Sequence, residues 1–231
     1  KHQDYRYDLS YIITDAAQKD HLRVVMKSIE QFEPELVERT VHHTHGRVVF
    51  ADGRKMSSRE GNVIMAHDVM DAAQRVAEDS REDVVLGAIR YSFLKNRIGG
   101  DIAYDPEESV AREGNSGPYL QYALVRARSI LRKIGDSKPA ETVEQLDAAE
   151  RSLARKLSMY SEAFDVALAD YSPHHICTYL YELAQTFNRF YEQSRVIDDP
   201  RAAVRVRLVQ VYEETLAHGL DLLGMPKPEE M

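Results

Sequence analysis

Three short runs of residues, rich in β-branched side chains, mark the first part of the chain. They are Tyr11–Thr14, Arg47–Phe50 and Asn62–Met65, and polar, glycine or proline stretches bound each of them, as is typical of strands. Between the first two, Lys19–Phe32 places apolar residues at helical spacing. A strand, a helix and a strand in this order predict the end of a parallel sheet.

Beyond residue 66 the strand pattern gives way to helical spacing. Asp68 is expected to cap a helix that extends to about Asp79, and a second helix is expected over Asp83–Lys95. The stretch that follows, "NRIGGDIAYDPEES", contains glycine, proline and acidic residues without a clear period. It is predicted to be an irregular connector.

The next two segments are long amphipathic helices with recognisable ends. The first has Pro118 in its opening turn and Gly135 just past its end, which is the usual placement of these residues. The second is predicted as one continuous helix over residues 141–171. Thr142 and Gln145 have the spacing of a capping box at its start.

Two further helices complete the chain. Ser172 and Pro173 predict the N-cap and first position of the third helix. The fourth is expected to start at Asp199 and to end at Gly224. Four such helices joined by short polar links indicate a bundle. The predicted fold class is therefore mostly α, with part of an α/β sheet domain in residues 1–66, a helical connecting segment in 67–112 and the bundle in 113–231.

Composition limits the environment and the partners. The chain has 231 residues and is 43% hydrophobic, but it contains no apolar run near the ~20 residues of a membrane span. Cys177 is the single cysteine, which excludes an internal disulfide and predicts a cytoplasmic protein. The net charge of −8 repels polyanions, so such a partner must meet a local cationic cluster. Because the chain opens with Lys1 in the middle of a pattern, we expect it to be a fragment.

A polar loop carries the first candidate chemistry. In "DGRKMSSREGNVIM", Lys55 and Arg59 flank Ser57 and Ser58, with glycines on both sides. Backbone amides near glycine approach an anion closely, while two cations and two hydroxyls suit a polyphosphate. The alternative on composition alone is a solvated turn between strands.

The helix after Pro118 carries the second candidate. Tyr119, Tyr122, Arg126 and Lys133 cluster beside its apolar face, and the helix contains no acidic residue. Cations follow phosphates, and tyrosine rings stack on unpaired bases. The alternative is that the tyrosines close the edge of the bundle and the arginines lie in water.

Several stretches resemble one enzyme family. "KMSSREGNVI" resembles the KMSKS loop of class I aminoacyl-tRNA synthetases, and its "REGN" continuation is most similar to arginyl-tRNA synthetases. "EGNSGPYLQYALVRARSILRK" is similar to the helix that opens their anticodon-binding domain, and "GLDLLGMPKPEEM" to their C-terminus. "YIITDAAQKDHLRVVMKSI" resembles the strand, turn and helix before the loop. The resemblance covers nearly the whole chain.

This resemblance implies a truncated Rossmann-type catalytic domain followed by a helical anticodon-binding bundle. The implied reaction joins arginine to ATP as arginyl-adenylate, with Mg²⁺, and then transfers arginine to its tRNA. Lys55 and Arg59 take catalytic roles, and Met56, Ser57 and Ser58 complete the ATP contacts. The sequence departs from the motif at its fourth position, where Ser58 replaces lysine and Arg59 follows.

The family also implies roles for residues before the loop. Gln18 lies near the bound arginine, and His21 and His42 lie near the nucleotide. The alternative for Gln18 and His21 is an ordinary helix start. The three histidines of "HHTHG" lack a cysteine or carboxylate to complete a metal set, so no tightly bound metal is expected.

On the bundle, the resemblance places an anticodon loop against the tyrosine and arginine surface. The third helix adds Tyr179, Tyr181 and Tyr191, of which Tyr179 is predicted to face a base. The predicted anticodon-binding residues are Tyr119, Tyr122, Arg126, Lys133, Tyr179 and the terminal Met231.

The expected partners are tRNA(Arg), arginine and ATP, without a membrane, and a monomer is favoured. The other class I signature, a HIGH-type stretch, occurs nowhere in the sequence. We therefore predict that this piece alone does not form arginyl-adenylate. Two alternatives remain open: another class I enzyme, such as the cysteine synthetase, and a non-catalytic tRNA-binding helical module.

Overall fold

The computed structural model describes residues 2–50, 65–77, 80–135, 139–140, 142 and 145–231. Contacts divide them into two compact units. One is drawn from Lys1–Asn62 and Asn96–Tyr104, and the other from Val63–Lys95 and Asp105–Met231. Helices dominate the described residues, which confirms the predicted mostly α class. Within these ranges, no helix is both long and apolar enough to cross a membrane. The predicted domain boundaries stay a prediction.

In its described residues, the first unit contains two pairs of parallel strands. After the short helix α1 (His2–Tyr5), β1 (Ser10–Asp15) pairs with β2 (Thr40–His45) in register, with Ser10 opposite Thr40. Between these strands lie a 3-10 turn (Ala16–Gln18) and the helices α2 (Lys19–Ile29) and α3 (Pro34–Glu38). The predicted parallel order of strand, helix and strand is present, but with a different second strand. The partner of β1 is β2, which was not among the predicted strands, and the predicted run Arg47–Phe50 lies beyond it.

The second pair corrects the sequence prediction. β3 (Val48–Phe50) pairs with β4 (Ile102–Tyr104), inside the stretch expected to be an irregular connector. Three residues are too few to show an alternating pattern, and the partner strand lies about fifty residues away. Gly46, just before β3, allows the backbone to pass close to Gly100, just before β4. A Cβ at position 46 would lie 1.8 Å from the carbonyl oxygen of Gly100.

The first unit buries little apolar surface of its own. Helix α2, which lies wholly in the described ranges, has no buried residue. Ile13 on β1 is 71% exposed, Val24 on α2 is 64% exposed, and Phe32 beyond α2 is 82% exposed. Such side chains normally lie in a core.

The second unit is helical. Its first three helices are α4 (Ala66–Val76), α5 (Glu82–Leu94) and α6 (Pro106–Val110), the last of which was also missed in the predicted connector. Its other five form the expected bundle: α7 (Gly117–Ile134), α8 (Ala148–Ser158), α9 (Tyr160–Asp170), α10 (His174–Gln193) and α11 (Ala202–Leu222). Helix α10 contacts the other four helices of the bundle. Leu120, Leu124, Leu180, Phe187, Tyr212 and Leu216 are fully buried in its core.

The segment predicted as one helix over residues 141–171 contains two helices, α8 and α9. The chain breaks at Met159 between α8 and α9, and the capping box is formed by Asp147 and Glu150 rather than by Thr142 and Gln145. The Asp147 carboxylate accepts from the Glu150 amide at 2.9 Å, and the Asp147 amide donates to the Glu150 carboxylate at 3.0 Å. The later box prevails because Glu150 is also buried and paired with Arg201, just before α11, and with Arg205 of α11.

Three other predicted starts shift by a few residues. Asp68 is the third residue of α4 and accepts from the amide of Met65 at 2.8 Å, and this helix ends at Val76. Ser172 does not cap α10, because its hydroxyl donates to the carbonyl of Asp170. Asp199 precedes α11 by three residues and accepts from the amide of Arg201.

Candidate functional site

The predicted triphosphate loop lies outside the described residues. Lys55, Met56, Ser57, Ser58 and Arg59 all fall there, as does most of the predicted strand before Met65. Their roles stay predictions.

The other predicted ligand-binding residues of the first unit lie just after β1 and on β2. Gln18 ends the 3-10 turn after β1, and His21 lies in the first turn of α2; both side chains are exposed. The Asp15 carboxylate stabilises this turn by accepting from the amide of Ala17 at 2.7 Å. Ligands of parallel α/β sheets bind outside such strand ends. Gln18 and His21 are therefore available there.

His42 has a defined position on β2. It is half-buried opposite Ile12, and its Nε2 lies 2.9 Å from the Thr14 hydroxyl of β1. His43 points to the other face and stacks on Tyr11 with 6.2 Å between the ring centroids. Neighbouring histidines on opposite faces do not converge on one ion. In the described part of the chain, no three metal-ligating side chains form a candidate site.

Helix α7 positions the candidate RNA-binding residues. Ser116 caps it by accepting from the Tyr119 amide at 3.3 Å. One face of the helix is buried in the bundle. On the neighbouring face, Tyr122 is 48% exposed, Tyr119 and Arg126 are half-buried, and Lys133 is exposed. The predicted cluster on α7 is thus a partly accessible surface.

Helix α10 completes this surface with Asn188, which the sequence pattern did not indicate, and with Tyr181 and Tyr191, which were named without an assigned role. The side-chain amide of Asn188 donates to the Tyr119 hydroxyl at 2.8 Å. The rings of Tyr119 and Tyr181 meet edge to face. The guanidinium carbon of Arg126 lies 4.7 Å from the ring centroid of Tyr191. Partial burial raises the pKa of Tyr119. We call Tyr119, Tyr122, Arg126, Asn188 and Tyr191 the α7–α10 surface.

The prediction that Tyr179 faces a base is wrong in this structure. Its side chain is only 4% exposed, and its hydroxyl donates to the carbonyl of Lys156 at 2.9 Å. Burial raises its pKa. Residues two apart on a helix point about 200° away from each other. Since Tyr181 faces α7, Tyr179 must face α8. Tyr181, Asn188 and Tyr191 are the α10 residues that contact α7, and the sequence pattern alone does not identify this side of the helix.

Not every cation on α7 is available to a ligand. Arg128 is paired with Glu213 at 2.8 Å and with Glu229 at 3.4 Å, and Glu229 also lies 4.0 Å from Arg132. These contacts hold the C-terminal segment against α7, where Met231 is 40% exposed. The charge of Arg128 is therefore largely neutralised within the protein.

Gln121 has a structural role that the sequence pattern did not indicate. It is fully buried on α7, and its amide donates to the carbonyls of Asp83 on α5 at 3.1 Å and Pro226 in the C-terminal segment at 2.9 Å. Gly87 leaves room for it, because a Cβ there would lie 2.4 Å from the Gln121 amide nitrogen. One buried side chain thus links two helices and the C-terminal segment.

Comparisons with known proteins agree with these features. Residues 1–98 match the family "tRNA synthetases class I (R), catalytic domain", and residues 120–231 match the DALR anticodon binding domain. An arginine–tRNA ligase of Cutibacterium acnes is 36% identical, over 95% of this chain and 42% of that protein. One of Thermus thermophilus is also 36% identical, over 86% of this chain and 37% of its own length. The chain thus spans about two fifths of the curated relatives it matches.

Solved structures show the same relationship. The Thermus thermophilus arginyl-tRNA synthetase superposes with a TM-score of 0.84 at 32% identity, covering 97% of this chain and 41% of that chain. The Plasmodium falciparum enzyme has a TM-score of 0.78 at 20% identity, over 97% of this chain and 41% of that chain, and shows the shared fold. The chain belongs to the arginyl-tRNA synthetase family, and it corresponds to the C-terminal portion of its members.

Proposed function

We propose that this chain is the part of an arginine–tRNA ligase that binds the anticodon loop of tRNA(Arg) and contributes to the ATP site. The α7–α10 surface carries the proposal, because it combines the exposed Tyr122 and the half-buried Tyr119 with a guanidinium held against the Tyr191 ring. Aromatic rings and arginine planes are the groups on which proteins stack unpaired RNA bases. Lys133 adds an exposed positive charge on the same side of α7.

The catalytic roles form the second part of the proposal. Lys55 and Arg59, with Met56, Ser57 and Ser58, would hold the triphosphate of ATP and its Mg²⁺. Gln18 would contact arginine, and His21 and His42 would lie near the nucleotide. The exposed position of Gln18 and His21 after β1 supports this part. No HIGH-type stretch occurs in the 231 residues, so we expect no arginyl-adenylate from this chain alone. ATP–pyrophosphate exchange by the isolated chain, with arginine and tRNA present, would contradict that expectation.

Filter binding over a salt series tests the RNA proposal. The chain should bind tRNA(Arg) more tightly than a non-arginine tRNA. Tyr122→Ala should weaken that binding about 5- to 150-fold, which corresponds to the roughly 1–3 kcal/mol of one base stacked on a ring. Tyr122→Phe is the matched control and should retain most of the affinity, because it keeps the ring.

Non-selective binding of the two tRNAs would contradict the proposal. Binding that is weak, equal for both tRNAs and removed by moderate salt is typical of non-specific attraction to phosphates. That result, with Tyr122→Ala unchanged, would exclude an anticodon reader.

A further inference from the structure

A groove runs between α9 and the first half of α10. Its volume is about 360 Å³, which is within the roughly 300–1,000 Å³ typical of binding sites. Met159, just before α9, forms one wall together with Ala163 and Val166 of α9. Thr178 and Glu182 belong to the opposite wall, on α10. Within the described part of the chain, the lining of this groove shares no residue with the α7–α10 surface.

The α9 wall of the groove exposes large apolar side chains to solvent. Met159 is 40% exposed, and Val166 is 41% exposed. Helix α9 contains no buried residue, although most of its side chains are apolar. Only small residues of this helix, Ala163 and Ala167, pack against the core together with Tyr160. Apolar surface that stays exposed beside a cavity is typical of a site that a partner covers.

The length of the groove suits a helix. His174, Thr178 and Glu182 line it at intervals of four residues along α10, so they share one side of that helix. At 1.5 Å per residue, this row is about 12 Å long, or just over two turns. An amphipathic helix that lies in such a groove contributes apolar side chains at positions i, i+4 and i+7. Those side chains would meet Met159 and Val166.

The charges around the groove determine which partner fits. Glu162 and Glu182 line it, and the Asp170 carboxylate lies 3.2 Å from Nε2 of His175, another lining residue. The ammonium group of Lys156 is already paired with Glu182 at 2.5 Å. The carboxylates at this rim therefore outnumber the ammonium group. They repel the phosphates of RNA or of an anionic membrane, and they attract a cationic partner.

We propose that this groove docks an amphipathic helix of another polypeptide, with its apolar side against Met159 and Val166. Lysine or arginine residues on the flanks of that helix lie beside Glu162 and Glu182. The apolar contacts supply most of the affinity, and the charged rim selects the partner. The proposal does not depend on RNA binding, because the groove and the α7–α10 surface are separate.

Peptide binding to the full chain tests the assignment. The probe is a fluorescein-labelled 14-residue helix of leucine and lysine, with its leucines on one side, and fluorescence anisotropy measures its affinity. Val166→Lys places a cation in the groove and removes an apolar contact. We expect the affinity to fall about 10- to 150-fold, because one apolar side chain is no longer buried by the peptide.

Leu168→Lys is the matched control for this substitution. It makes the same change of charge on the same helix, but Leu168 is 59% exposed and lies outside the groove lining. This variant should bind the peptide nearly as the wild type does. Circular dichroism of both variants checks that α9 and the rest of the bundle stay folded.

The charged rim is tested separately. Glu162→Gln should weaken peptide binding about 2- to 5-fold, as expected for the loss of one exposed ion pair. Asp165→Asn removes the same charge from α9 outside the groove lining, so it should have little effect. A peptide with glutamate in place of lysine should bind clearly less well. Equal effects of the two substitutions, or equal binding of the two peptides, would exclude a cationic partner.

A site-specific signal supports the assignment without a change of the groove. In wild-type chain labelled with methyl-¹³C methionine, the NMR signal of Met159 should shift when unlabelled peptide is added. The signal of Met225, which is 3% exposed in the core, should not shift. Met159→Leu and Met225→Leu identify the two signals.

Three results would overturn the proposal. They are no peptide binding by the wild type, equal weakening by Val166→Lys and Leu168→Lys, and an unshifted Met159 signal at saturating peptide. Self-association of the chain that Val166→Lys abolishes would show instead that a second copy occupies the groove. All of these measurements are made without RNA, so their outcome leaves the proposed anticodon binding to its own test.

Discussion

The side-chain amide of Asn188 donates a hydrogen bond to the hydroxyl oxygen of Tyr119, with 2.8 Å between the two atoms. This contact joins α10 to α7 and fixes the Tyr119 ring against the edge of Tyr181. It makes the α7–α10 surface a joint product of two helices. The surface cannot be assigned from either helix alone.

Breaking this contact should affect both stability and RNA binding. Asn188→Ala and Tyr119→Phe each remove one partner, and each should cost about 1 kcal/mol of unfolding free energy. The double variant should cost less than the sum, because both changes remove the same hydrogen bond. Urea unfolding of all four proteins measures the coupling. Strictly additive losses would show that the bond contributes nothing.

Tyr179→Phe should separate the core tyrosine from the surface tyrosines. Loss of its hydrogen bond to Lys156 should lower the free energy of unfolding by roughly 0.5–1.5 kcal/mol. Affinity for tRNA(Arg) should stay unchanged, since the ring lies between helices. A folded Tyr179→Phe protein with clearly weakened RNA binding would contradict the buried position.

Removing either of two cations on α7 should change the salt dependence of RNA binding by different amounts. Lys133→Ala should reduce the slope of log affinity against log salt by about 1, as expected when one phosphate contact is lost. Arg128→Ala should leave that slope nearly unchanged, because Glu213 and Glu229 already neutralise its charge. Equal changes in slope for both variants would show that Arg128 contacts a phosphate as Lys133 does. Binding isotherms at four or more salt concentrations provide the slopes.

Glu150 is predicted to control acid stability. It is fully buried and accepts from Arg201, which precedes α11, and from Arg205 of α11. The hydrogen bonds from Arg201, the Asp147 amide and Arg205 lower its pKa from 4.5 to about 2. A carboxyl whose pKa is lower in the folded state stabilises the fold above its unfolded pKa, and loses this effect as the pH falls through the folded pKa. The free energy of unfolding should therefore decrease as the pH falls from about 4.5 to about 2.

Glu150→Gln should remove that pH dependence. At neutral pH it should cost about 2–4 kcal/mol, somewhat below a fully enclosed ion pair because Arg201 is partly exposed and solvent screens it. Urea unfolding across the acid range measures both effects. The exposed carboxylate variant Glu230→Gln is the control and should behave like the wild type. An unchanged acid profile in Glu150→Gln would contradict the assignment.

Gly87→Ala tests the link through Gln121. Alanine normally stabilises a helix interior by about 1 kcal/mol over glycine, but here the added carbon would lie 2.4 Å from the Gln121 amide. We expect destabilisation by roughly 1–3 kcal/mol, as in overpacked cores. Gly100→Ala, whose Cβ would meet its nearest neighbour at 3.7 Å, is the control. A more stable Gly87→Ala protein would show that Gln121 moves aside freely.

The periodic parts of the fold were predictable from sequence. The buried and exposed faces of α7 follow from helical spacing, and β1 and β3 follow from β-branched runs. β2 was missed, because histidines interrupt its β-branched residues. β4 was missed because a three-residue strand is defined by its distant partner β3 rather than by its own pattern. The break at Met159 depends on packing in the bundle, which local spacing does not specify.

The candidate site was predictable only in part. The sequence identified tyrosines on α10, but choosing Tyr181 over Tyr179 required knowledge of which side of α10 faces α7. Asn188 gave no signal by residue type, since asparagine is common on helix surfaces. Its role depends on the position of Tyr119 in the folded bundle.

The central claim is that the α7–α10 surface reads the anticodon of tRNA(Arg). The most direct measurement transplants an arginine anticodon into a non-arginine tRNA and compares the affinities of the two tRNAs for this chain at one salt concentration. If the α7–α10 surface reads the anticodon, the transplanted tRNA binds more tightly, and Tyr122→Ala removes the difference. Equal affinity of the two tRNAs for the wild-type chain would contradict it.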